Sequence, residues 1–292
     1  MSETFANAAA GVAIFDALRV DESEAVEKET RLLASLGRLN SLLIAFSGGA
    51  DSAYLAWAAA ATLGERALAV TALSASYSAH DRGVAETFVR NHEIRHEWIE
   101  TRETENPLYI ANNADRCYHC KDELFTQLDY IARERRFAAV AYGVNTDDTR
   151  DFRPGHRAAF EHKVIAPLLD AGLRKSEIRF LSRRAGLETW DRPPSPCLSS
   201  RVPYGTAVTP ELLAKIESAE TVLRELGFRQ FRVRAHGETA RVEVAQDELP
   251  RALQTEIADR IGAGIKRAGF FYVAIDLDGY RQGSLNDALQ KK

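Results

Sequence analysis

The first two thirds of the chain alternate short apolar runs with longer amphipathic stretches. Short continuous apolar runs, which are typical of buried parallel strands, lie at 41–46, 67–74 and 138–142, and residues 94–100 predict a further strand. Apolar positions at helical spacing predict helices at 22–37, 53–63, 81–91 and 123–136. This alternation predicts a doubly wound α/β fold built on a parallel sheet.

The pattern changes near residue 190, where a proline-rich segment begins. Residues 190–205 hold four of the nine prolines, which restrict the backbone and predict an ordered connector. Thr209 and Pro210 then open a helix that runs to Gly227. Further strands at 228–234, 240–245 and 270–277 and a helix at 249–268 complete an α-β-β-α-β unit. We expect an α/β domain over 1–190, a connector with Cys197 over 191–208 and a small α+β domain over 209–292.

The composition is that of a globular chain without a strong charge of either sign. Of the 292 residues 45% are apolar, and 38 Lys and Arg against 42 Asp and Glu give a formal charge of −4. The absence of a basic excess argues against nucleic acid as a partner. No apolar run approaches the roughly 20 residues that span a bilayer, which argues against a membrane partner. Three cysteines cannot form a disulfide scaffold, so we expect a cytoplasmic protein with reactive or metal-binding thiols.

A loop between the first predicted strand and the following helix has the pattern of a phosphate site. Ser47-Gly-Gly-Ala-Asp-Ser52 combines two glycines, which let phosphate approach the backbone, with the amides of a helix N-terminus. Asp51 would repel phosphate unless Mg²⁺ joined the two, so its presence favours a metal–nucleotide complex. A capped glycine turn is the structural alternative. The chain contains no Gly-x-x-x-x-Gly-Lys phosphate motif.

The loop resembles the PP-loop of ATP pyrophosphatases, and further segments narrow the resemblance. These segments are 116–121, 143–148, 151–155, 195–201 and 231–236, and two of them contain all three cysteines. In this order they resemble the LarE family of ATP-dependent sulfur transferases over roughly residues 25–280. The resemblance implies an adenine-nucleotide α-hydrolase-like PP-loop domain, a small α+β domain and a homo-oligomer, often a hexamer.

The resemblance also implies a reaction in nickel-pincer cofactor biosynthesis. In this family ATP, with Mg²⁺, activates a carboxylate of pyridinium-3,5-biscarboxylic acid mononucleotide as an acyl adenylate. Sulfur from hydrosulfide or another donor then displaces AMP and leaves a thiocarboxylate. The small-molecule substrate is therefore an anionic pyridinium mononucleotide.

The resemblance assigns candidate roles to residues of four kinds. The catalytic residues are Cys197, Ser200 and Arg201. The ATP and pyrophosphate contacts are Ser47, Gly48, Gly49, Asp51, Ser52, Gly143 and Asn145. The substrate contacts are Asp151, Arg153, Arg232 and Arg234. The candidate metal contacts outside the cysteines are Glu220 and Glu243.

The cysteines allow more than one sulfur chemistry. Cys117, Cys120 and Cys197 can hold three irons of a [4Fe–4S] cluster and leave the fourth open to hydrosulfide, as related thiolases do. In one branch of the family the matching cysteine instead gives up its own sulfur and ends as dehydroalanine. A structural zinc site would need a fourth ligand, commonly from a second pair. Inert thiols are the remaining alternative.

Two other functions compete with this interpretation. A PP-loop tRNA thiolase would use the same ATP and cluster chemistry on a base, but the chain shows neither a basic excess nor a zinc-finger module. His92-Glu-Ile-Arg-His96 matches a zinc-protease motif, which requires both histidines on one helical face. The alternation of Ile94, His96 and Trp98 predicts a strand instead, which argues against a metalloprotease.

Overall fold

A computed structural model describes residues 20–150 and 154–281 of the chain. Its larger sheet contains four parallel strands, β1 (Leu42–Ala45), β2 (Ala67–Leu73), β3 (His96–Glu100) and β4 (Ala139–Tyr142). Their order across the sheet is β3-β2-β1-β4. The chain moves outward from β1 to β3 on one side and returns to β4 on the other, so a topological switch point lies between β1 and β4.

Helices cover both faces of this sheet. Leu42 and Ile44 of β1 belong to one buried core, and Leu43 and Ala45 belong to another on the opposite face. The predicted doubly wound α/β fold is thus confirmed. The helices in this part are α1 (Glu22–Gly37), α2 (Ala50–Leu63), α3 (Ala79–Asn91), α4 (Pro107–Ile110), α5 (Arg116–Arg135), α6 (Pro154–Glu161), α7 (Pro167–Asp170) and α8 (Lys175–Arg184). Short 3-10 helices lie at Gly64–Arg66, Glu103–Glu105, Thr146–Arg150, Glu188–Asp191 and Leu198–Arg201.

A second sheet of three strands follows the connector. Its elements are α9 (Pro210–Glu225), β5 (Phe231–His236), β6 (Thr239–Val244), α10 (Leu249–Ala252), α11 (Thr255–Arg267) and β7 (Tyr272–Ile275). Strand β6 lies in the middle, antiparallel to β5 and parallel to β7. Thr209 caps α9 as predicted, because its side chain accepts from the amide of Leu212. Of the helices in the described ranges, none is both long enough and apolar enough to cross a lipid bilayer.

Helix α5 begins earlier than the sequence predicts. The predicted start was residue 123, but the helix begins at Arg116, so Cys117 and Cys120 lie in its first two turns. This upstream part is polar and lacks apolar periodicity. Tertiary contacts form it instead, since buried Arg116 donates to Asn112 Oδ1 and to the carbonyl of Ser199. His119, between the cysteines, is therefore helical.

The single helix predicted at 249–268 is two helices, α10 and α11. Gln254 interrupts them with an extended backbone, at a ψ of 132°. The break leaves Leu253 half-exposed and buries Ile261 and Ile265 of α11 in the second core. Apolar spacing alone does not predict this break, because no glycine or proline lies at it.

Candidate functional site

The loop over 47–52 leaves β1 at its carboxyl end and leads into α2. Gly48 has a φ of +70°, which glycine adopts without strain, and no side chain caps the first turn of α2 at Gly49. The hydroxyls of Ser47 and Ser52 lie 3.0 Å apart, and the Ser52 hydroxyl donates to the carbonyl of Gly49. A helix start without a side-chain cap, reached through glycines, is an arrangement that binds phosphate.

Strand β4 ends against this loop. A Cβ atom on Gly143 would lie 2.7 Å from the backbone nitrogen of Ser52, so glycine is needed for this close approach. Asn145 is buried, and its side-chain oxygen accepts from the amides of Asp147 and Asp148. Gly143 and Asn145 therefore shape the switch point, where open α/β sheets bind ligands.

Lys175, which no sequence motif marks, reaches the loop from the start of α8. Its ammonium nitrogen lies 2.5 Å from Asp51 Oδ2, and its amide donates to Asp147 Oδ2 at 2.9 Å. The other carboxylate oxygen of Asp51, Oδ1, is buried and has no hydrogen-bond partner within the described residues. A lysine cation and an unused carboxylate oxygen fit a phosphate with its Mg²⁺. The contact joins residues 124 positions apart, so local pattern could not predict it.

Cys117, Cys120 and Cys197, here called the thiol centre, lie in one electrostatic neighbourhood. All three are free thiols; Cys117 is exposed and the other two are partly buried. Burial raises the pKa of Cys120, and the charges of Glu103 and Cys197 raise it further. Burial by itself would lower the pKa of Arg116. The negative charge that Cys197 and Cys117 carry when ionised outweighs this effect and raises the pKa above its ordinary value. Arg116 links the connector to α5 directly, because its guanidinium group contacts Cys117 Sγ at 4.0 Å and donates to the carbonyl of Ser199 at 2.8 Å.

Ser199 joins the connector to the start of α5. Its hydroxyl lies 2.5 Å from the Tyr109 hydroxyl, and its carbonyl accepts from Arg116 at 2.8 Å. All three residues are buried. This contact holds Cys197, two residues earlier in the chain, beside the helix that carries the other cysteines.

Arg201 organises the backbone around Cys197. Its guanidinium group makes two hydrogen bonds to Glu220, of 2.8 and 2.9 Å. The same group donates to the carbonyl of Cys197 at 3.1 Å and to the hydroxyl of Ser200 at 3.0 Å. Arg201 is buried with these contacts and holds the carbonyl of Cys197 in place.

Arg232 and Arg234, the predicted substrate contacts on β5, are both buried but differ in their partners. Arg234 makes two hydrogen bonds to Glu243, of 3.0 and 2.9 Å. Arg232 donates to backbone carbonyls, and no carboxylate of the described residues pairs with it. Burial, and after it the charge of Arg201, lowers the pKa of Arg232. A buried guanidinium without a counterion favours an anionic ligand.

Glu220 and Glu243, the candidate metal contacts, already accept hydrogen bonds from Arg201 and Arg234, respectively. Glu220 also accepts from the amide of Val233 at 3.1 Å, and Glu243 also accepts from Arg241 at 2.9 Å. Within the parts of the chain that the structure describes, no three His, Cys, Asp or Glu side chains lie close enough together to hold a metal ion.

Hydrogen bonds of Arg192 link the phosphate loop, the connector and α3. The guanidinium group of Arg192 donates to the carbonyl of Gly48 and to Asp81 Oδ1, near the start of α3. The same carboxylate oxygen accepts a hydrogen bond of 2.9 Å from the hydroxyl of Ser195, two residues before Cys197. We call Gly48, Arg192, Asp81 and Ser195 the loop–connector network. Arg192 and Ser195 lie in the proline-rich segment, but their shared partner could not be predicted from it.

The predicted substrate contacts Asp151 and Arg153 fall outside the described residues. The two histidines of the zinc-protease motif lie on different elements. His92 follows the end of α3 and contacts Glu188 at 2.8 Å, whereas His96 lies on β3 and contacts the Thr71 hydroxyl at 2.8 Å. The zinc-protease motif is therefore divided between a helix end and a strand, as its alternation predicts.

Comparisons with known proteins give three relatives, and no protein-family model matches the chain. An uncharacterized protein of Synechocystis sp. is 41% identical over 255 residues, or 87% of this chain and 95% of the relative. The pyridinium-3,5-bisthiocarboxylic acid mononucleotide synthase of Lactiplantibacillus plantarum is 34% identical over 266 residues, or 90% of this chain and 95% of the relative. An uncharacterized protein of Methanocaldococcus jannaschii is 30% identical over 172 residues, or 59% of this chain and 66% of the relative.

The similarity to the synthase extends well beyond the phosphate loop. Because it covers 90% of this chain, it includes the larger sheet, the connector and at least β5 and β6 of the second sheet. A shared nucleotide-binding motif alone would match over the loop and its neighbouring elements. The chain therefore belongs to the LarE family, which includes this synthase.

Proposed function

We propose that this chain is an ATP-dependent sulfur transferase that converts a carboxylate of pyridinium-3,5-biscarboxylic acid mononucleotide into a thiocarboxylate. One observation carries the proposal: the amide of Leu198 donates to the carbonyl of Ser76, just beyond β2, at 2.9 Å. A phosphate-type loop and the thiol of Cys197 thus share the carboxyl edge of one sheet. The name of the Lactiplantibacillus plantarum relative, a bisthiocarboxylic acid mononucleotide synthase, supports the choice of substrate.

The first half-reaction is adenylylation at the phosphate loop. A carboxylate oxygen of the substrate attacks the α-phosphorus of ATP, the bond from that phosphorus to the bridging oxygen breaks, and pyrophosphate leaves. The amides that begin α2 and the ammonium group of Lys175 stabilise the departing pyrophosphate. Asp51, whose Oδ1 is buried without a hydrogen-bond partner among the described residues, would hold the Mg²⁺ that accompanies the nucleotide.

The second half-reaction takes place at Cys197. A sulfur nucleophile attacks the acyl carbon of the adenylate, the bond from that carbon to the phosphate oxygen breaks, and AMP leaves with the electron pair. Arg232 supplies a buried cation for an anionic group of the substrate. Arg201 holds the backbone on which Cys197 is placed.

The source of the sulfur depends on what the thiol centre holds. Its three free thiols act electrostatically on one another and fit the donor set of a [4Fe–4S] cluster, which would supply hydrosulfide from its fourth iron. Without a cluster, Cys197 Sγ forms a thioester with the acyl group. Loss of the Cα proton then breaks the Cβ–Sγ bond, which leaves dehydroalanine and the thiocarboxylate. The presence of three free cysteines and a reducing cytoplasm favours the cluster.

The function is tested with the biscarboxylic acid mononucleotide as substrate. We expect exchange of labelled pyrophosphate into ATP that depends on this substrate. Mass spectrometry should also show replacement of a carboxylate oxygen by sulfur. Exchange without sulfur in the product would contradict sulfur transfer, and transfer to tRNA instead of the mononucleotide would support the thiolase alternative.

A second measurement distinguishes the two sulfur sources. Iron and acid-labile sulfide are measured per chain after anaerobic reconstitution, in the unmodified protein and in Cys117→Ala. About four irons, lost in the variant, would show a cluster held by the thiol centre. Absence of iron, with an intact mass that falls after turnover by the loss of sulfur at residue 197, would show a single-use protein.

A further inference from the structure

We propose that Asp81 and Arg192 are positioning residues that couple phosphate binding at the loop to the placement of Cys197. The inference rests on the proposed function, because it requires the loop to bind the phosphates of ATP. The loop–connector network supplies the physical path. It runs from the carbonyl of Gly48, through Arg192 and Asp81, to the hydroxyl of Ser195.

The ion pair at the middle of this path is buried. The side chains of Arg192 and Asp81 are 13% and 11% exposed. The second oxygen of Asp81 accepts a hydrogen bond of 2.6 Å from Ser78, the N-cap of α3, which fixes the carboxylate on its helix. A buried pair of this kind requires good geometry and further hydrogen bonds to offset desolvation. It is therefore a rigid connection rather than an exchangeable surface contact.

The loop end of the path responds directly to an anion. The carbonyl of Gly48 and the amide of Gly49 belong to one planar peptide unit, so they turn together. An amide that turns toward a phosphate therefore also turns the carbonyl that Arg192 holds. The space around Gly48 is narrow, since a Cβ atom there would lie 3.1 Å from that of Ala85 and 3.4 Å from a guanidinium nitrogen of Arg192. Because Arg192 donates to this carbonyl, rotation of the peptide between Gly48 and Gly49 would displace its guanidinium group or break that hydrogen bond.

The connector end of the path passes this movement to the thiol. Ser195 lies between Pro194 and Pro196, whose rings fix φ and restrict each preceding residue. The short stretch from Ser195 to Cys197 therefore has little freedom to absorb a displacement. Beyond Cys197, the amide of Leu198 is anchored to the carbonyl of Ser76, in the turn that follows β2. Cys197 thus lies between Leu198, whose amide is anchored, and Ser195, whose position depends on the conformation of the phosphate loop.

The first test separates the half-reactions in Asp81→Asn, Arg192→Met and the double variant. Each single variant leaves a buried group without its partner, whereas the double variant removes both charges. We expect all three to keep substrate-dependent pyrophosphate exchange within about threefold and to lose sulfur transfer by about 100-fold, because misplacement of a reacting atom has effects of that size. Glu86→Gln, which breaks an exposed ion pair on the same helix, is the matched control.

Two outcomes of this test would overturn the proposal. An equal fall in both half-reactions would mean that the pair maintains the phosphate loop alone. Recovery of sulfur transfer in the double variant, together with its thermal stability, would mean that the pair has a structural role only.

The second test measures hydrogen–deuterium exchange with Mg-pyrophosphate as the probe. In the unmodified full-length protein we expect about fivefold slower exchange both in the loop peptide and in the peptide over 190–205. In the double variant only the loop peptide should be protected. Protection of the loop without protection of the connector, or protection of both in the double variant, would overturn the coupling. No protection of the loop in the unmodified protein would overturn the phosphate site, and with it the proposed function.

Discussion

The phosphate loop and the thiol centre are built in different ways. The loop occupies six consecutive residues, and its form follows from a strand end, two glycines and a helix start. The thiol centre combines a helix start with a distant connector, which Tyr109 and Arg116 hold together through Ser199. The proposed anion site thus needs only a short segment, whereas the proposed sulfur site depends on tertiary contacts. Substitutions that leave the loop–connector network intact should therefore act mainly on the region in which they lie.

The largest expected effect comes from the thiol centre. Cys197→Ala removes the sulfur nucleophile or cluster ligand, so we expect sulfur transfer to fall by about 1,000-fold or more. Pyrophosphate exchange should stay within about twofold, since the substitution leaves the loop intact. Both rates are measured on one preparation, so that exchange serves as the control for folding. Sulfur transfer by this variant would show that Cys197 is not the sulfur centre.

The buried arginines beside the thiol centre should differ in what they stabilise. Arg201→Met leaves Glu220 buried without its partner, so we expect a loss of about 3 kcal/mol in the free energy of unfolding. Arg232→Met removes a guanidinium that has no counterion, so we expect little loss of stability but a KM for the mononucleotide about tenfold higher. Urea unfolding and steady-state kinetics measure these effects. Equal destabilisation by both would contradict the assignment of Arg232 to an anionic ligand.

At the phosphate loop the corresponding test is the substitution of Lys175. Lys175→Met removes a cation from the pyrophosphate and leaves Asp51 to repel it, so we expect pyrophosphate exchange to fall by about 100-fold. Lys266→Met, on an exposed position of α11, is the matched control. The thiol centre should keep its iron content, or its thiol reactivity, in both variants. Unchanged exchange in Lys175→Met would remove this residue from the pyrophosphate site.

The contrast between features that form from neighbouring residues and features that need tertiary contacts explains which of them could be predicted from the sequence. The order of strands and helices, the loop over 47–52 and the cap at Thr209 depend on neighbouring residues, and their predictions agree with the structure. The early start of α5 at Arg116 could not be predicted, because contacts with Ser199 hold it. The break in the helix predicted at 249–268 likewise depends on how α11 packs.

The same reason applies to the functional residues that the sequence did not mark. Lys175 is an ordinary helix-start lysine until the fold brings it to Asp51. Arg192 and Asp81 lie on separate elements 111 positions apart, and neither belongs to a motif. Periodicity and motifs describe short stretches of chain, and they carry no information on which distant side chains meet.

The smallest expected effect concerns the pH dependence of the helix that carries Cys117 and Cys120. His162 lies between Asp129 and Asp122 of α5, at 2.7 and 3.0 Å. Burial opposes protonation of His162, but its hydrogen bonds with Asp129 and then Asp122 raise its pKa above the ordinary 6.5. A raised pKa in the folded state adds stability that is fully present below the unfolded value. That stability disappears as the pH rises through the folded value.

His162→Gln keeps hydrogen-bonding groups at this position but removes the charge. Since Asp122 is partly exposed and its interaction is screened, we expect a loss of about 1 kcal/mol near pH 5.5 that fades toward pH 9. Urea unfolding at several pH values measures it, and Asp129→Asn should show the same trend. The substitution should not affect the phosphate loop. Pyrophosphate exchange in His162→Gln should therefore keep the pH profile of the unmodified protein. A stability difference that grows with pH would contradict the raised pKa, and an altered exchange profile would mean that α5 also supports the phosphate loop.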